Sequence, residues 1–350
     1  MKEVCLQDYE YIISDSNITW NNIDNSTIFV TGATGLIGLS VVKALLYYSK
    51  KSRANVKLVC LVRNKEKAET IYDDFLKDGC NIEFILGNIT EKIYYNGNID
   101  YIIHGASATS SRMFVERPVD IIEIAIKGTD NVLKFAQEKN VKAMTYLSSM
   151  EVYGTPNTDE KIDENNYKYM DHFNVRSSYP EGKKMVECLC KSYFSQYKVP
   201  VNVVRLTQTF GPEVDYNDGR VFADFARCLM EKRDIILHTN GKTKRSYLYT
   251  ADAVRAILTV LLRGIPGEAY NAANEDTYCS IFEMASMVAG MDETGSISVR
   301  IEVEDESRFG YLPNFKMNLD TDKLRQLGWK ANIKLKDMFT RMIKFYEKEV

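Results

Sequence analysis

Tyr179 and Lys183 stand four residues apart in the stretch SSYPEGKKMVE, Ser177 to Glu187. If Pro180 opens a helix, as proline tends to at a first turn, both side chains lie on one face. An ammonium near a phenol, together with a positively charged nicotinamide, favours tyrosinate. Such a tyrosine can take the proton of a substrate hydroxyl as hydride leaves the adjacent carbon. The tyrosine–lysine spacing is common by chance. Its weight comes from YLSSMEVYG, Tyr146 to Gly154, where Ser149 can hydrogen-bond the same hydroxyl. Glu151 follows two residues later, either as a second carboxylate for the chemistry or as an ordinary polar residue at a strand end.

A second constellation lies far upstream. FVTGATGLIG places Gly32, Gly35 and Gly38 between an apolar strand and an amphipathic helix. Gly32 permits a tight turn, Gly35 lets backbone approach a pyrophosphate, and Gly38 allows close helix–sheet packing. The helix N-terminus favours the anion. Thr34, Leu36 and Ile37 complete this cradle for a dinucleotide. After the second strand comes Arg63, with Lys65 and Lys67 nearby. An acid there would hold a ribose 2′-hydroxyl and mark NAD, whereas an arginine suits a 2′-phosphate and argues for NADP. The alternative for Arg63 is a solvated basic loop. Asn88 and Ile89, in GNIT (87–90), fall near the adenine.

The elements that must position these groups follow a regular alternation. Apolar runs at 26–31, 56–62, 81–86, 99–106, 141–149 and 199–206 read as strands. Helical stretches at 38–50, 64–78, 115–139 and 180–197 separate them. Strands apolar throughout and alternating with helices predict an α/β fold, a Rossmann-type doubly wound parallel sheet. Ligands then bind beyond the carboxyl ends of the strands, where both constellations fall. The expected organisation is an N-terminal extension over 1–25, a cofactor-binding domain over 26–211 and a smaller C-terminal α+β substrate-binding region over 212–350. Residues 246–274 are expected to return to the first domain. Residues 1–25 either brace the cofactor domain or cover a dimer edge.

Composition narrows the class. A net charge of -3 gives no basic footprint, which argues against nucleic acid as a partner. The N-terminus lacks the apolar core of a signal peptide, and no apolar run reaches membrane-spanning length, so a cytoplasmic protein with no membrane contact is expected. Seven cysteines show no metal-ligand spacing and three histidines lie far apart, so no metal site is expected.

From about Ser26 to Trp329 the chain resembles the extended short-chain dehydrogenase/reductases, the NAD-dependent epimerase/dehydratase family. The resemblance rests on TGATGLIG, HGAS (104–107), GTDNVL (128–133), LSSMEVYG, SYPEGK, RLTQTFGP (205–212), GKTKRSYLYTADAV (241–254), EAYNAAN (268–274) and LDTDKLRQLGW (319–329). It implies a nucleoside diphosphate sugar substrate and hydride transfer from C4 of the sugar to a tightly held NAD(P)+. The ketone then rotates and is reduced, or loses water or CO2. It gives Ser149 the serine/threonine role, Tyr179 that of the base, and Lys183 that of the ribose-binding lysine. Ala106 and Ser107 would line the cofactor, and Thr109 and Gln208 the substrate. Arg245 would bind the substrate phosphates, with Arg220 and Arg308 as further phosphate candidates.

The triplet Ser149-Met150-Glu151 discriminates among reactions. The 4,6-dehydratase type carries aspartate where Met150 stands, and methionine cannot donate a proton. Decarboxylases of UDP-glucuronate keep only the glutamate, and SSYPEGKKMVECLC, ASATSSRMF (106–114) and NDGRVFADFA (217–226) look most like their segments. Ala125 and Gln208 replace usual asparagines and Asn88 a usual aspartate, departures that bear on substrate and cofactor preference.

The nominal expectation is an epimerase, with UDP-glucuronate decarboxylase-like or 4,6-dehydratase activity as the alternative. Arg63 motivates a third reading, a net NADPH-dependent reductase. A non-catalytic NADP-sensing regulator is the reading from another class, and the presence of both Tyr179 and Lys183 speaks against it. The two long helices suggest a homodimer through a four-helix bundle.

Overall fold

The computed structural model describes residues 2–108, 111–303 and 314–347. Its strands are β1 (Thr27–Thr31), β2 (Lys57–Val62), β3 (Ile82–Leu86), β4 (Tyr101–His104), β5 (Ala143–Ser149), β6 (Asn157–Ile162) and β7 (Val201–Leu206). They continue with β8 (Gln208–Phe210), β9 (Ile235–Leu237), β10 (Lys244–Tyr249), β11 (Ala269–Ala272), β12 (Asn274–Ser280), β13 (Val299–Ile301) and β14 (Lys316–Leu319). The helices are α1 (Glu3–Ile13), α2 (Leu36–Ser52), α3 (Lys65–Ile71), α4 (Asp73–Lys77), α5 (Ser111–Glu116) and α6 (Pro118–Lys139). After them come α7 (Ser178–Tyr197), α8 (Val221–Glu231), α9 (Thr250–Arg263), α10 (Ile281–Ala289), α11 (Asp322–Arg325) and α12 (Leu335–Tyr346).

Seven strands form one sheet in the order β11-β7-β5-β4-β1-β2-β3, and every pairing in it is parallel. The apolar runs explain why. Ile28 and Val30 pack with α1, α2 and α9 on one face, while Phe29 and Val59 pack with α6 and α7 on the other. Each such buried side chain contributes about 1.5–3 kcal/mol. The order reverses between β1 and β4, the switch point where doubly wound sheets bind ligands. Register aligns Thr31 with His104 and His104 with Tyr146, so β1 and β4 end in one row and β5 runs three residues beyond it, to Ser149.

Two predicted helices are each broken once. Residue 117 precedes a proline, which bars it from helical geometry, and the 115–139 stretch divides there into α5 and α6. The 64–78 stretch divides at Tyr72, whose buried hydroxyl donates to the Ala33 carbonyl at 2.6 Å. That bond ties the break to the glycine loop.

The second sheet runs β12-β10-β14-β6, with β8 on β10. It draws β6 and β8 from before residue 211 and β10, β12 and β14 from after it, so the segments expected to form two domains interleave. Helix α9 is buried from Thr250 to Leu261, the pattern of a helix enclosed on all sides. It lies between the large sheet and α1, and the Tyr11 hydroxyl donates to Asp252 Oδ1 at 2.7 Å. Tyr249 donates to Asp8 at 2.6 Å, and Arg341 of α12 donates to the same carboxylate at 2.8 Å. The N-terminal helix therefore braces this layer.

Candidate active site

The glycine loop is built by close approach. Gly32 has φ +76, and a Cβ there would stand 2.6 Å from the Gly105 carbonyl carbon. A Cβ on Gly38 would stand 2.2 Å from the Gly32 carbonyl oxygen. The glycine at the third position thus seals the loop against the helix start, rather than the helix against a strand. Gly35 is different, since a Cβ there meets only the Gly32 oxygen at 3.5 Å. No side chain caps the start of α2 at Gly35, so the first-turn amides of Leu36, Ile37 and Gly38 face an open cradle. These features fit a pyrophosphate. Gly38→Ala is expected to weaken binding of NAD(P) by more than about tenfold, or about 1.4 kcal/mol, by calorimetric titration.

The catalytic candidates gather at the end of β5. Lys183 is buried and donates from Nζ to the Leu147 carbonyl at 2.8 Å. The Leu147 side chain approaches to 3.0 Å of where a Cβ on Gly105 would sit, so one residue touches both the lysine and the cradle. Ala106, beside it, donates its amide to Thr31 Oγ1 at 3.2 Å. His104 is buried and neutral, pushed down to about 3 by burial and the Lys183 charge. It bridges Thr31 at 2.6 Å and Thr129 at 3.0 Å.

Tyr179 stacks on Phe114 of α5, with ring centroids 4.3 Å apart and planes 10° from parallel. The Ser149 hydroxyl faces its phenol. The phenol is pushed above its ordinary range, first by burial and second by the Glu151 carboxylate, with Ser149 and Arg176 acting the other way. The expected tyrosinate takes both the lysine and a bound nicotinamide; in the cofactor-free protein Lys183 Nζ lies 5.8 Å from the ring centroid and spends its bond on Leu147. In the cofactor-free protein Tyr179 is therefore the neutral phenol.

Glu151 is paired with Arg176, whose Nη2 lies 3.1 Å from Oε1 and 2.9 Å from Oε2. The guanidinium sits 4.6 Å over the Phe114 ring. Arg176 and Phe114 were missed in the sequence, because nothing in NVRSSYP signals a carboxylate partner 25 residues upstream. Met150 is buried, and its sulfur accepts from the Thr207 hydroxyl at 3.2 Å.

Other predicted residues stand apart. Arg245 donates to Gln208 Oε1 at 3.4 Å and lies over Phe315, so these two substrate candidates meet each other. Arg220 is held by Asp218 at 2.6 Å, which offsets its charge. Arg63 is exposed just past β2. Asn88 is exposed and accepts from the Thr90 amide at 3.2 Å, while Ile89 is buried against Gly128 of α6. The Ser107 hydroxyl bonds the Ala108 carbonyl. Thr109 and Arg308 lie outside the described residues.

Residues 28–273 match the model of the "NAD dependent epimerase/dehydratase family". The chain belongs to this family. It is 27% identical over 332 residues to a dTDP-D-glucose 4,6-dehydratase of Mus musculus, covering 92% of this chain and 88% of the relative. It is 26% identical to UDP-glucuronic acid decarboxylase 1 of Xenopus tropicalis, covering 93% and 73%. A UDP-glucose 4-epimerase of Thermotoga maritima, solved with UDP-glucose, superposes with a TM-score of 0.77 at 19% identity, covering 91% and 98%. Family membership makes NAD the cofactor class that the cradle has to hold.

This epimerase/dehydratase-family site carries a cost in stability. Burial pushes the Lys183 ammonium down from 10.5 to about 8, and the Glu187 carboxylate opposes the shift. The unfolded chain therefore binds the extra proton between about pH 8 and 10.5. Stability rises with pH across that window, and the full penalty applies below it. Lys183→Met is expected to stabilise the cofactor-free protein at pH 7 by up to about 3 kcal/mol. Calorimetry should show the gain fading as pH rises through the window.

Proposed function

We propose that this chain binds NAD(P) and a nucleoside diphosphate sugar and begins its reaction by oxidising the sugar at C4. The observation that carries this is the meeting of Ser149, Tyr179 and Lys183 with the glycine cradle at the ends of β1, β4 and β5. Ser149 orients the C4 hydroxyl. Tyr179 takes its proton as the C4–H pair leaves as hydride and the C4–O double bond forms. The bound cofactor supplies the hydride acceptor and a positive ring that favours tyrosinate. Lys183 holds the nicotinamide ribose, and Gln208 with Arg245 bind the diphosphate, where a guanidinium suits phosphate oxygens. Arg220 joins them only by leaving Asp218.

The nominal outcome is epimerisation, which asks nothing of Glu151. One observation favours a second reading, loss of CO2 or water: the Glu151–Arg176 pair stands beside Tyr179. With Met150 turned into the core, no acid occupies the position that aspartate-dependent dehydration uses, and decarboxylation is the stronger of the two. Arg63 supports NADP over NAD and, with it, a net reductase as the remaining reading. The test is mass spectrometry with chromatography of UDP-, dTDP-, CDP- and GDP-sugars, uronates included, after incubation with the protein. An isomer at unchanged mass marks an epimerase, loss of CO2 a decarboxylase, loss of water a dehydratase, and stoichiometric NADPH consumption a reductase. No change in any sugar would contradict the proposal and reopen the regulator reading.

We also propose a homodimer. Val119 and Ile122 of α6 and Met185 and Tyr197 of α7 leave large apolar side chains exposed on two adjacent helices. A second copy of the chain would cover them, and a monomer by light scattering at micromolar concentration would contradict this. Among the described residues no helix is long and apolar enough to cross a membrane. All seven cysteines are free thiols, which suits the cytoplasm.

A further inference from the structure

The pair beside the tyrosine is buried, and Arg176 Nε and Nη1 make no hydrogen bond there among the described residues. The Arg176 side chain is 9% exposed and that of Glu151 20%. Arg176 is held from two sides, by the Glu151 carboxylate and by the Phe114 ring. Phe114 in turn stacks on Tyr179, so carboxylate, guanidinium, phenyl ring and phenol form one continuous row. Removing one member of a buried pair leaves the other charge uncompensated. Here that charge would stand next to the phenol that has to be ionised before it can take the sugar's proton.

We propose that Arg176 is a positioning residue of this site: it holds the Glu151 carboxylate in place beside Tyr179 and offsets its charge, so that Tyr179 can ionise and its phenolate serve as the base. This rests on the proposed C4 oxidation. Among the described residues, the charged and titratable groups facing Tyr179 are Tyr146 of β5, Glu151 just beyond β5, Arg176 from the turn before α7, and Lys183 from its own helix, with the Ser149 hydroxyl beside them. The α5 side contributes the uncharged Phe114. Arg112 and Glu116 of α5 pair with each other at the surface. Glu151 raises the phenol's pKa and Arg176 lowers it, so the two substitutions act in opposite directions.

The experiment is a double-substitution cycle on the cofactor-loaded protein, following cofactor reduction in a single turnover from pH 5 to 10. Arg176→Gln is expected to slow reduction about tenfold at neutral pH and to move the acid limb of the profile up by about one pH unit. Glu151→Gln alone moves the limb down. The double variant returns it to the wild-type position, which loss of packing at Arg176 cannot do. In the cofactor-free protein the thermal midpoint of Arg176→Gln is expected to lie below that of the double variant, because only the single variant strands a buried carboxylate. A limb unmoved by Arg176→Gln, or moved and not restored in the double variant, overturns the proposal. A wild-type protein that reduces no cofactor with any sugar of the panel overturns C4 oxidation and this proposal together.

Discussion

Tyr179→Phe is expected to lower kcat by about three orders of magnitude while leaving cofactor and sugar binding within about twofold. The geometry makes this substitution nearly silent in every respect but one. Phenylalanine keeps the ring that stacks on Phe114 at 4.3 Å and keeps the packing at the start of α7. It loses the single oxygen that Ser149 faces. Neither neighbouring charge replaces it, since Lys183 is turned to Leu147 and Glu151 is committed to Arg176. The checks are steady-state kinetics on the sugar that reacts and calorimetric titration of cofactor. Unchanged kcat would remove Tyr179 from the mechanism. A fall in kcat with a matching loss of binding would mean that the tyrosine shapes the site without doing its chemistry.

The second large effect concerns the frame behind the site. Arg205→Met is expected to destabilise the protein by about 3–5 kcal/mol. Arg205 lies on β7 and is 2% exposed. Its Nε and Nη2 grip Glu187 of α7 at 3.0 and 2.6 Å. Its Nη1 donates to the Tyr153 hydroxyl at 2.8 Å and the Glu164 carbonyl at 2.7 Å. Glu187 also accepts from Ser148 at 2.5 Å, one residue before Ser149. A neutral side chain of similar length would leave the Glu187 carboxylate buried without its cation, one turn from Lys183. Denaturant unfolding is the check, and Glu187→Gln with Arg205→Met should lose less than the sum of the two. A loss below about 1 kcal/mol would show that the pair is solvated and does not tie α7 to the sheet.

The doubly wound sheet was legible because its strands are apolar on both faces, as in KLVCLV of β2, and because helices of recognisable period separate them. The glycine cradle was legible for a local reason: Gly32, Gly35 and Gly38 lie in one seven-residue stretch, and their steric roles follow from contacts inside that stretch and with Gly105. Tyr179, Lys183 and Ser149 could be read because helix and strand geometry fix what each can reach. Helix breaks were harder. The one at Arg117 follows from Pro118, but the one at Tyr72 follows from a tertiary bond to Ala33 that no local pattern encodes. Arg176 was invisible for the same reason, since its partner Glu151 is set by how two loops meet. Spacing revealed the lysine near Tyr179 but not the burial that acts against ionisation of the phenol while no cofactor is bound.

The central claim is that hydride leaves C4 of a nucleotide sugar while Tyr179 takes the hydroxyl proton. The most direct test is single-turnover cofactor reduction with a sugar that carries deuterium at C4. The account predicts that reduced-nicotinamide absorbance appears, that the label slows its appearance severalfold, and that Tyr179→Phe abolishes it. Product formed at the same rate from labelled and unlabelled sugar, with no reduced cofactor at any time, would contradict it.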